Sequence, residues 1–372
     1  MSHSDLHRTG PLSENADVLR IIDAESNRAT EGLRVVEDYV RFILNDRHLT
    51  ALAKQLRHEL TAALKPFSTI DRLAARQSDT DVGAMLATPA GSERSQPADV
   101  AAASFKRIQQ ALRSLEEYSK IALHLPLPLG EGRGEGDVAA SLEQLRFRAY
   151  TLERAVGITA DSLVRLANAR LYVLLDGRAS EDEFAALAQS LVSAGVHILQ
   201  LRDKQLADRQ LLSRARRLRE ITHGTSTLFI MNDRPDLAVL SQADGVHVGQ
   251  DELTVADARA ILGSKPLIGV STHSIEQVRQ AVINGASYIG VGPTFPSATK
   301  QFNAFTGLNL IRQIADEIAL PAFAIGGITR DNLPQVQSAG LNRIAVTAAI
   351  TESADPSHAA RELLASLSKQ SK

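Results

Sequence analysis

The sequence predicts an α/β protein in which an all-helical domain precedes a (β/α)8 TIM barrel. A chain of 372 residues exceeds one ordinary core, at roughly 150 residues per domain. Its texture changes at Arg170: apolar residues recur at helical spacing before it, and short β-branched runs alternate with amphipathic helices after it. A charged helical pattern is also written twice in the first half, beginning at Asn27 and again at Lys106.

The alternation after Arg170 comprises "LYVLLD", "HILQLR", "TLFIMND", "GVHVGQ", "LIGVSTH", "YIGVGPTF", "PAFAIGGI" and "RIAVTAAI", which read as eight strands. Between them stand helical patterns such as "DEFAALAQSLVSAG" and "SIEQVRQAVINGA", closed by glycine where a helix end favours a left-handed residue. Eight βα units in about 200 residues argue for a closed barrel. A doubly wound open sheet is the alternative, and it rarely uses eight units so evenly.

Residues 1–16 read as a disordered N-terminus, 17–163 as the helical domain, 164–169 as a linker and 170–368 as the barrel. Within the helical domain "LPLPLGEGRGEGD" (125–137) has neither period nor core-forming residues and reads as a mobile loop. "SLEQLRFRAYTLERAV" then resumes helical spacing.

Apolar residues make up 44% of the chain, charged residues 23%, and the formal charge is -2. That balance is globular and has no basic excess to recruit nucleic acid or an anionic membrane, so the expected partners are small molecules. The absence of cysteine excludes disulfides and thiol catalysis. The opening "MSHSDLHRTGPLSENADVLR" has no apolar run of signal-peptide type, and no stretch approaches the ~18 apolar residues of a membrane span. A cytoplasmic location is therefore expected, and a homo-oligomer is compatible with the sequence.

Barrel enzymes place their sites at the C-terminal ends of the strands. There, Gln200, Arg202 and Lys204 of "LQLRDK" fall at alternate positions and share one face of an extended chain. Two cations and an amide so placed suit an anionic ligand, the alternative being a solvated strand end paired with Asp203. Asn232 and Asp233 end the third strand, and Gln250, Asp251 and Glu252 follow the fourth. Carboxylates without His or Cys suit a hard cation such as Mg²⁺, although Asp233 or Asp251 alone could be a helix cap. Cations and carboxylates together suggest a magnesium-bound pyrophosphate. After the sixth strand, "GPTFPSATK" offers Ser297, Thr299 and Lys300 to an anion, and the glycines of "AIGGI" let backbone N–H groups approach a phosphate. His247 and His273 lie near strand ends with no nucleophile beside them and read as hydrogen-bonded structural histidines.

In this order, "QLRDK", "MND", "GVHVGQDE", "GVSTH", "GPTFPSATK" and "AIGGI" resemble thiamine phosphate synthase, over Arg170 to Ser366. In that family an aminopyrimidine diphosphate loses pyrophosphate and the nitrogen of a thiazole phosphate attacks the methylene cation. The resemblance implies pyrimidine contacts at Gln200 and Ser271, and pyrophosphate contacts at Arg202, Lys204, Asn232 and Lys300. It implies Mg²⁺ at Asp233 and Glu252, and thiazole phosphate at Ser297, Thr299, Gly327, Val346 and Thr347. Two departures stand out: Ser297 replaces a common threonine and keeps its hydroxyl. Glu252 replaces a frequent aspartate, which leaves Asp251 as an alternative ligand.

The duplicated pattern matches at Arg28/Arg107, Leu33/Leu112, Arg34/Arg113, Glu37/Glu116 and Tyr39/Tyr118. Asn27, Glu31, Arg34, Asp38 and Arg41 form one polar helical stripe, and Lys106, Gln110, Arg113, Glu117 and Lys120 preserve its register. Such a stripe can be simply a solvated face. "DAESNRATEGLRVVEDYVRF", "SDTDVG" and "LRFRAYTLERA" resemble an all-helical domain fused to thiamine phosphate synthases, over Asp17 to Val156, with "GEGRGEG" as an insertion. That family is associated with an alternative kinase for hydroxymethylpyrimidine phosphate, which implies ATP as a substrate. Two facing copies would bring Arg34 and Arg113 into one phosphate cleft, with Glu31, Asp38 or Glu117 holding Mg²⁺ and with Asn27 and Arg28 nearby. No Walker-type P-loop is present. The rival readings are a non-catalytic oligomerisation or docking module for the helical half, and another phosphate-binding TIM-barrel enzyme for the barrel.

Overall fold

The computed structural model describes residues 11–76, 94–124, 135–296 and 307–368. Its chain divides into two compact units, Met1–Gly157 and Ile158–Lys372.

The first unit is helical: α1 (Pro11–Phe42), α2 (Arg47–Ala63), α3 (Thr69–Ala74), α4 (Pro97–His124) and α5 (Glu135–Arg165), the last running on into the second unit. Helix α1 begins inside the segment expected to be disordered, and α5 begins inside the expected loop, whose residues 125–134 lie outside the described residues. The Asp46 side chain caps α2 by accepting from the Leu49 N–H at 2.7 Å. Helices α1 and α4 pack antiparallel: the end of α1 meets the start of α4 around Tyr39 and Val100, and Gly32 meets Ser104 and Ile108. A Cβ at position 32 would stand 2.7 Å from the Ile108 side chain, so glycine permits that approach. Leu33, Val36 and Val40 of α1 and Ile108, Leu112 and Leu115 of α4 form the shared core.

The second unit is a closed parallel barrel in which β1 to β8 neighbour one another in sequence order and β8 returns to β1. Its elements are β1 (Leu171–Leu175), α6 (Glu181–Ser193), β2 (Ile198–Leu201), α7 (Asp208–Thr222), β3 (Leu228–Asn232), α8 (Pro235–Leu240) and β4 (Gly245–Val248). There follow α9 (Val255–Leu262), β5 (Leu267–Thr272), α10 (Ile275–Asn284), β6 (Tyr288–Val291), α11 (Gly307–Glu317) and β7 (Ala322–Ile325). The chain ends with α12 (Leu333–Ser338), β8 (Ile344–Val346), α13 (Ala348–Thr351) and α14 (Pro356–Ser368). Each of the eight β-branched runs contains one strand. Ser180 and Ser274 cap α6 and α10, and Gly285 closes α10 in the left-handed conformation that its sequence position suggested.

Tyr172, Ile198, Ile230, Leu267, Tyr288, Phe323 and Ala345 fill the barrel interior together with Leu166 and Ala169. The segment read as a linker, 164–169, is thus partly the end of α5 and partly core of the barrel. Arg343 at the start of β8 donates to the carbonyls of Leu166 and Ala169, and Arg165 donates to the carbonyl of Lys265 at 2.8 Å. Burial, together with the charge of Arg170, lowers the Arg343 guanidinium to about 10.

Candidate active site

Gln200, Asn232, His247 and Ser271 lie near the C-terminal ends of β2, β3, β4 and β5, with Asn232 and His247 opposite one another in register. Gln200 is 2% exposed, and its amide donates to the Tyr172 hydroxyl at 2.5 Å. Tyr172 and Tyr288 are joined through their hydroxyls at 3.1 Å. The Tyr288 hydroxyl meets His247 Nδ1 at 3.3 Å, and His247 Nε2 meets Ser271 Oγ at 2.9 Å. A continuous hydrogen-bonded chain therefore links the two residues expected to contact a pyrimidine. Burial pushes both tyrosines well above the ordinary phenol range, so both keep their protons. Burial pushes His247 down to about 4, Arg202 lowering it further and Asp233 opposing, so its ring is neutral at pH 7. His247 and His273 are both hydrogen-bonded, the latter through Nδ1 to the carbonyl of Gly292 at 2.5 Å.

Outside this chain lie the charged groups. Asp203 accepts from the backbone N–H groups of Gly177, Gln205 and Leu206 at 3.0, 2.8 and 2.9 Å. Burial raises its carboxyl, but these three bonds prevail and hold it low. Asp203 thus shapes the turn, while the exposed Arg202 and Lys204 face elsewhere for partners. The Lys204 ammonium lies 3.3 Å from Asp233 and 3.6 Å from Glu252, so both carboxylates expected to hold Mg²⁺ converge on one cation. Asp233 adopts φ 58°, a left-handed conformation uncommon for a residue with a side chain. Asp251 is exposed on the same loop.

On the opposite side of the mouth, the Thr294 and Phe295 N–H groups donate to the carbonyls of Ile325 and Gly326 at 2.9 and 3.0 Å. Gly327, at φ 63°, lies so close to this loop that a Cβ would meet the carbonyls of Pro296 and Phe295 at 2.5 and 2.8 Å. Val346 ends β8, and Thr347 precedes the short α13. Ser297, Thr299 and Lys300 lie outside the described residues.

In the helical unit Asn27, Arg28, Glu31, Arg34 and Asp38 are all exposed along α1. Arg28 pairs with Glu25, whereas Arg113 pairs with Glu116 at 2.6 Å and with Glu117 at 2.9 Å. The antiparallel packing separates Arg34 from Arg113 by roughly 12 Å along the helix pair, at 1.5 Å per residue. They therefore stand at different levels of the helix pair rather than directly opposite one another. Asp38 instead lines a cavity of about 510 Å³ with Tyr39, Phe42, Arg94, Gln96 and Val100. "SDTDVG" lies outside the described residues.

Tyr172 and Tyr288 escaped the reading of the sequence because each sits in an aliphatic strand and looks like ordinary core. A signal was available: a buried tyrosine hydroxyl needs a partner, so two in one barrel invite a search for a polar chain.

Comparison with known proteins agrees with this architecture. Residues 171–350 match the family described as thiamine monophosphate synthase, and residues 20–155 match the ThiD2 family. The thiamine-phosphate synthase of Rhodopirellula baltica is 43% identical over 348 residues, covering 91% of this chain and 89% of that protein. That of Gloeobacter violaceus is 42% identical over 343 residues, covering 92% and 95%. The solved thiamine phosphate pyrophosphorylase from Pyrococcus furiosus is 31% identical and superposes with a TM-score of 0.50, covering 55% of this chain and 97% of that one. With both regions matched and full-length relatives aligned across nearly the whole chain, the protein belongs to the thiamine-phosphate synthase family of transferases.

Proposed function

We propose that the barrel joins an aminopyrimidine diphosphate to a thiazole phosphate, giving thiamine phosphate and pyrophosphate. The observation that carries this reading is the convergence of Asp233 and Glu252 on Lys204, beside the buried chain that joins Gln200 to Ser271. Gln200 and Ser271 would orient the pyrimidine, while Arg202, Lys204, Asn232 and Lys300 would receive the pyrophosphate. The bond from the pyrimidine methylene to the pyrophosphate oxygen breaks, and its electron pair leaves with the pyrophosphate. The thiazole nitrogen then donates its lone pair to the methylene carbon. That nitrogen carries no proton, so no general base is needed. Pre-placed cations that meet growing charge on the leaving group lower the barrier.

Two carboxylates aimed at one point fit a hard cation, and Asp233 and Glu252 would hold Mg²⁺. Among the described residues no group of three or more His, Cys, Asp or Glu converges, so its remaining ligands would be phosphate oxygens and water. When bound, the ion neutralises charge on the pyrophosphate. Gly327, Val346 and Thr347, with Ser297 and Thr299, would hold the thiazole phosphate, in keeping with the habit of barrels to bind phosphate after strands seven and eight.

For the helical unit the proposed activity is transfer of phosphate from ATP to hydroxymethylpyrimidine phosphate, supported by the ThiD2 match. The cavity beside Asp38 and Tyr39 is the better candidate site than the exposed stripe, because it offers aromatic walls with one acid and one base. The proposed setting is the cytoplasm; among the described residues no helix is long and apolar enough to cross a membrane.

The test is a coupled assay with purified protein, pyrimidine monophosphate, ATP, Mg²⁺ and thiazole phosphate, followed for thiamine phosphate. Replacing the monophosphate and ATP with the diphosphate isolates the barrel. No product from the diphosphate would sink the condensation; product from the diphosphate alone would sink only the kinase.

A further inference from the structure

Gln200 and Ser271 sit on different strands, yet three interior side chains connect them without a gap. Tyr172 has two hydrogen-bond partners, Gln200 and Tyr288, and Tyr288 has Tyr172 and His247. Each phenol carries one proton, and the neutral imidazole carries one. If the Gln200 amide N–H donates to Tyr172, then Tyr172 donates to Tyr288, Tyr288 donates to His247 Nδ1, and His247 Nε2–H donates to Ser271. Gln200 Oε1 is then left as an acceptor, and it is indeed buried without a partner among the described residues. Ser271 keeps a free O–H. Turning the Gln200 amide over reverses every bond in the row: Gln200 offers N–H groups, and Ser271 offers lone pairs. In either sense one end of the row keeps a free donor and the other a free acceptor, the one at Gln200 belonging to a side chain that is 2% exposed before any ligand enters.

The barrel makes room for this row. A Cβ on Gly269 would collide with the ring and hydroxyl of Tyr288, and one on Gly290 would come within 3.3 Å of the His247 ring. Glycine at both places lets the two side chains lie against neighbouring strands.

We propose that Tyr172, Tyr288 and His247 are positioning residues that couple the hydrogen-bonding sense of Gln200 to that of Ser271, so that the site selects a ring edge bearing one donor and one acceptor. An aminopyrimidine, with an exocyclic amine beside a ring nitrogen, presents such an edge. For the class of ligand this rests on the proposed condensation. A ring with a methoxy group in place of the amine presents two acceptors and satisfies only one end.

The experiment compares kcat/KM for the aminopyrimidine diphosphate and its methoxy analogue in the parent, Tyr288→Phe and Gly269→Ala, and records the side-chain ¹⁵N spectrum of His247 in the full-length protein. Tyr288→Phe should lower the preference for the amine about tenfold, the scale of one hydrogen bond, and leave the KM for thiazole phosphate unchanged. Gly269→Ala retains every group of the row but displaces Tyr288, and should act in the same direction. Tyr172→Phe, which does not bond to His247, should nevertheless alter its tautomer ratio. An unchanged histidine spectrum in Tyr172→Phe, or an undiminished amine preference in folded Tyr288→Phe, overturns the proposal. Should the parent convert neither pyrimidine, the condensation fails, and the histidine spectrum still decides the coupling.

Discussion

Glu37 and Glu116 occupy the same place in the two copies of the duplicated helix, and each accepts an arginine from the helix that follows. Arg57 Nε of α2 lies 3.0 Å from Glu37 Oε2, and Arg146 Nε of α5 lies 3.0 Å from Glu116 Oε2. Both carboxylates are buried, at 8% and 4% exposure. Leu33 and Leu112, repeated in the same register, share a small apolar space with Leu56, Leu60, Leu145 and Ala149. The duplication therefore extends to the core: a buried carboxylate paired with an arginine and the leucine beside it are among the features written twice.

Removing Glu116 leaves the Arg146 guanidinium, 12% exposed, with the more distant Glu143 carboxylate at 3.8 Å. We expect Glu116→Ala to destabilise the helical unit by about 3 kcal/mol, with Glu116→Gln milder because the amide can still accept. Urea denaturation followed by circular dichroism measures this. Loss below about 0.5 kcal/mol, the range of an exposed pair, would show that the pairing is incidental.

Glu252, rather than Asp251, shares the Lys204 ammonium with Asp233. Glu252→Gln should raise the Mg²⁺ concentration needed for half-maximal condensation, whereas Asp251→Asn should leave it near that of the parent. The reverse order in a Mg²⁺ titration would transfer the ligand role to Asp251.

Arg202 directly follows β2 and pairs with no acid among the described residues, Asp203 being taken up by three backbone N–H groups. If its guanidinium meets charge that grows as pyrophosphate departs, Arg202→Ala should reduce turnover by about 10² to 10³ at saturating substrate. A variant that changes only KM would make Arg202 a ground-state anchor instead.

The barrel was legible because its strands alternate so evenly: each β-branched run became a strand, and Gly285 ends α10 at the position its spacing suggested. What escaped depends on pairing at a distance. Repetition of Arg34 as Arg113 says nothing about whether the two helices run parallel or antiparallel, and antiparallel packing parts them. Leu166 and Ala169 follow a long amphipathic helix, and nothing local marks them as the floor of a barrel. Gln200 and Ser271 were found by their motifs, but the tyrosines between them carry no motif, only an unmet need for hydrogen-bond partners.

His247 gives the barrel a pH dependence whose sign can be worked out. Its folded pKa of about 4 lies below the ordinary 6.5, so between these values the unfolded chain binds a proton that the folded one refuses. Stability is thus retained above pH 6.5 and is lost as the pH falls toward 4, by up to roughly 3 kcal/mol. Carboxylates titrate in the lower part of this range, so the informative quantity is the difference between the parent and His247→Gln. The variant should lose less stability between pH 6.5 and 4; parallel curves would show that the ring does not resist protonation.

The last expectation concerns where the chain can be divided. Leu166 is fully buried and Ala169 nearly so within the barrel's core cluster, and Arg343 draws both of their carbonyls to the start of β8. A cut after Ala167 removes Leu166, opens a void the size of its side chain and takes away one acceptor of the half-buried Arg343 guanidinium. Loss of a buried leucine alone costs about 2 to 5 kcal/mol. A fragment of residues 158–372 keeps the last turns of α5, including the bond from Arg165 to Lys265, and corresponds to the second compact unit. We expect that fragment to fold and to condense the pyrimidine diphosphate with thiazole phosphate, while 168–372 unfolds at distinctly lower urea concentration. Neither should use the monophosphate with ATP, a step expected of residues 1–157. Equal urea midpoints for the two barrel fragments would mean that Leu166 covers the barrel floor without supporting it.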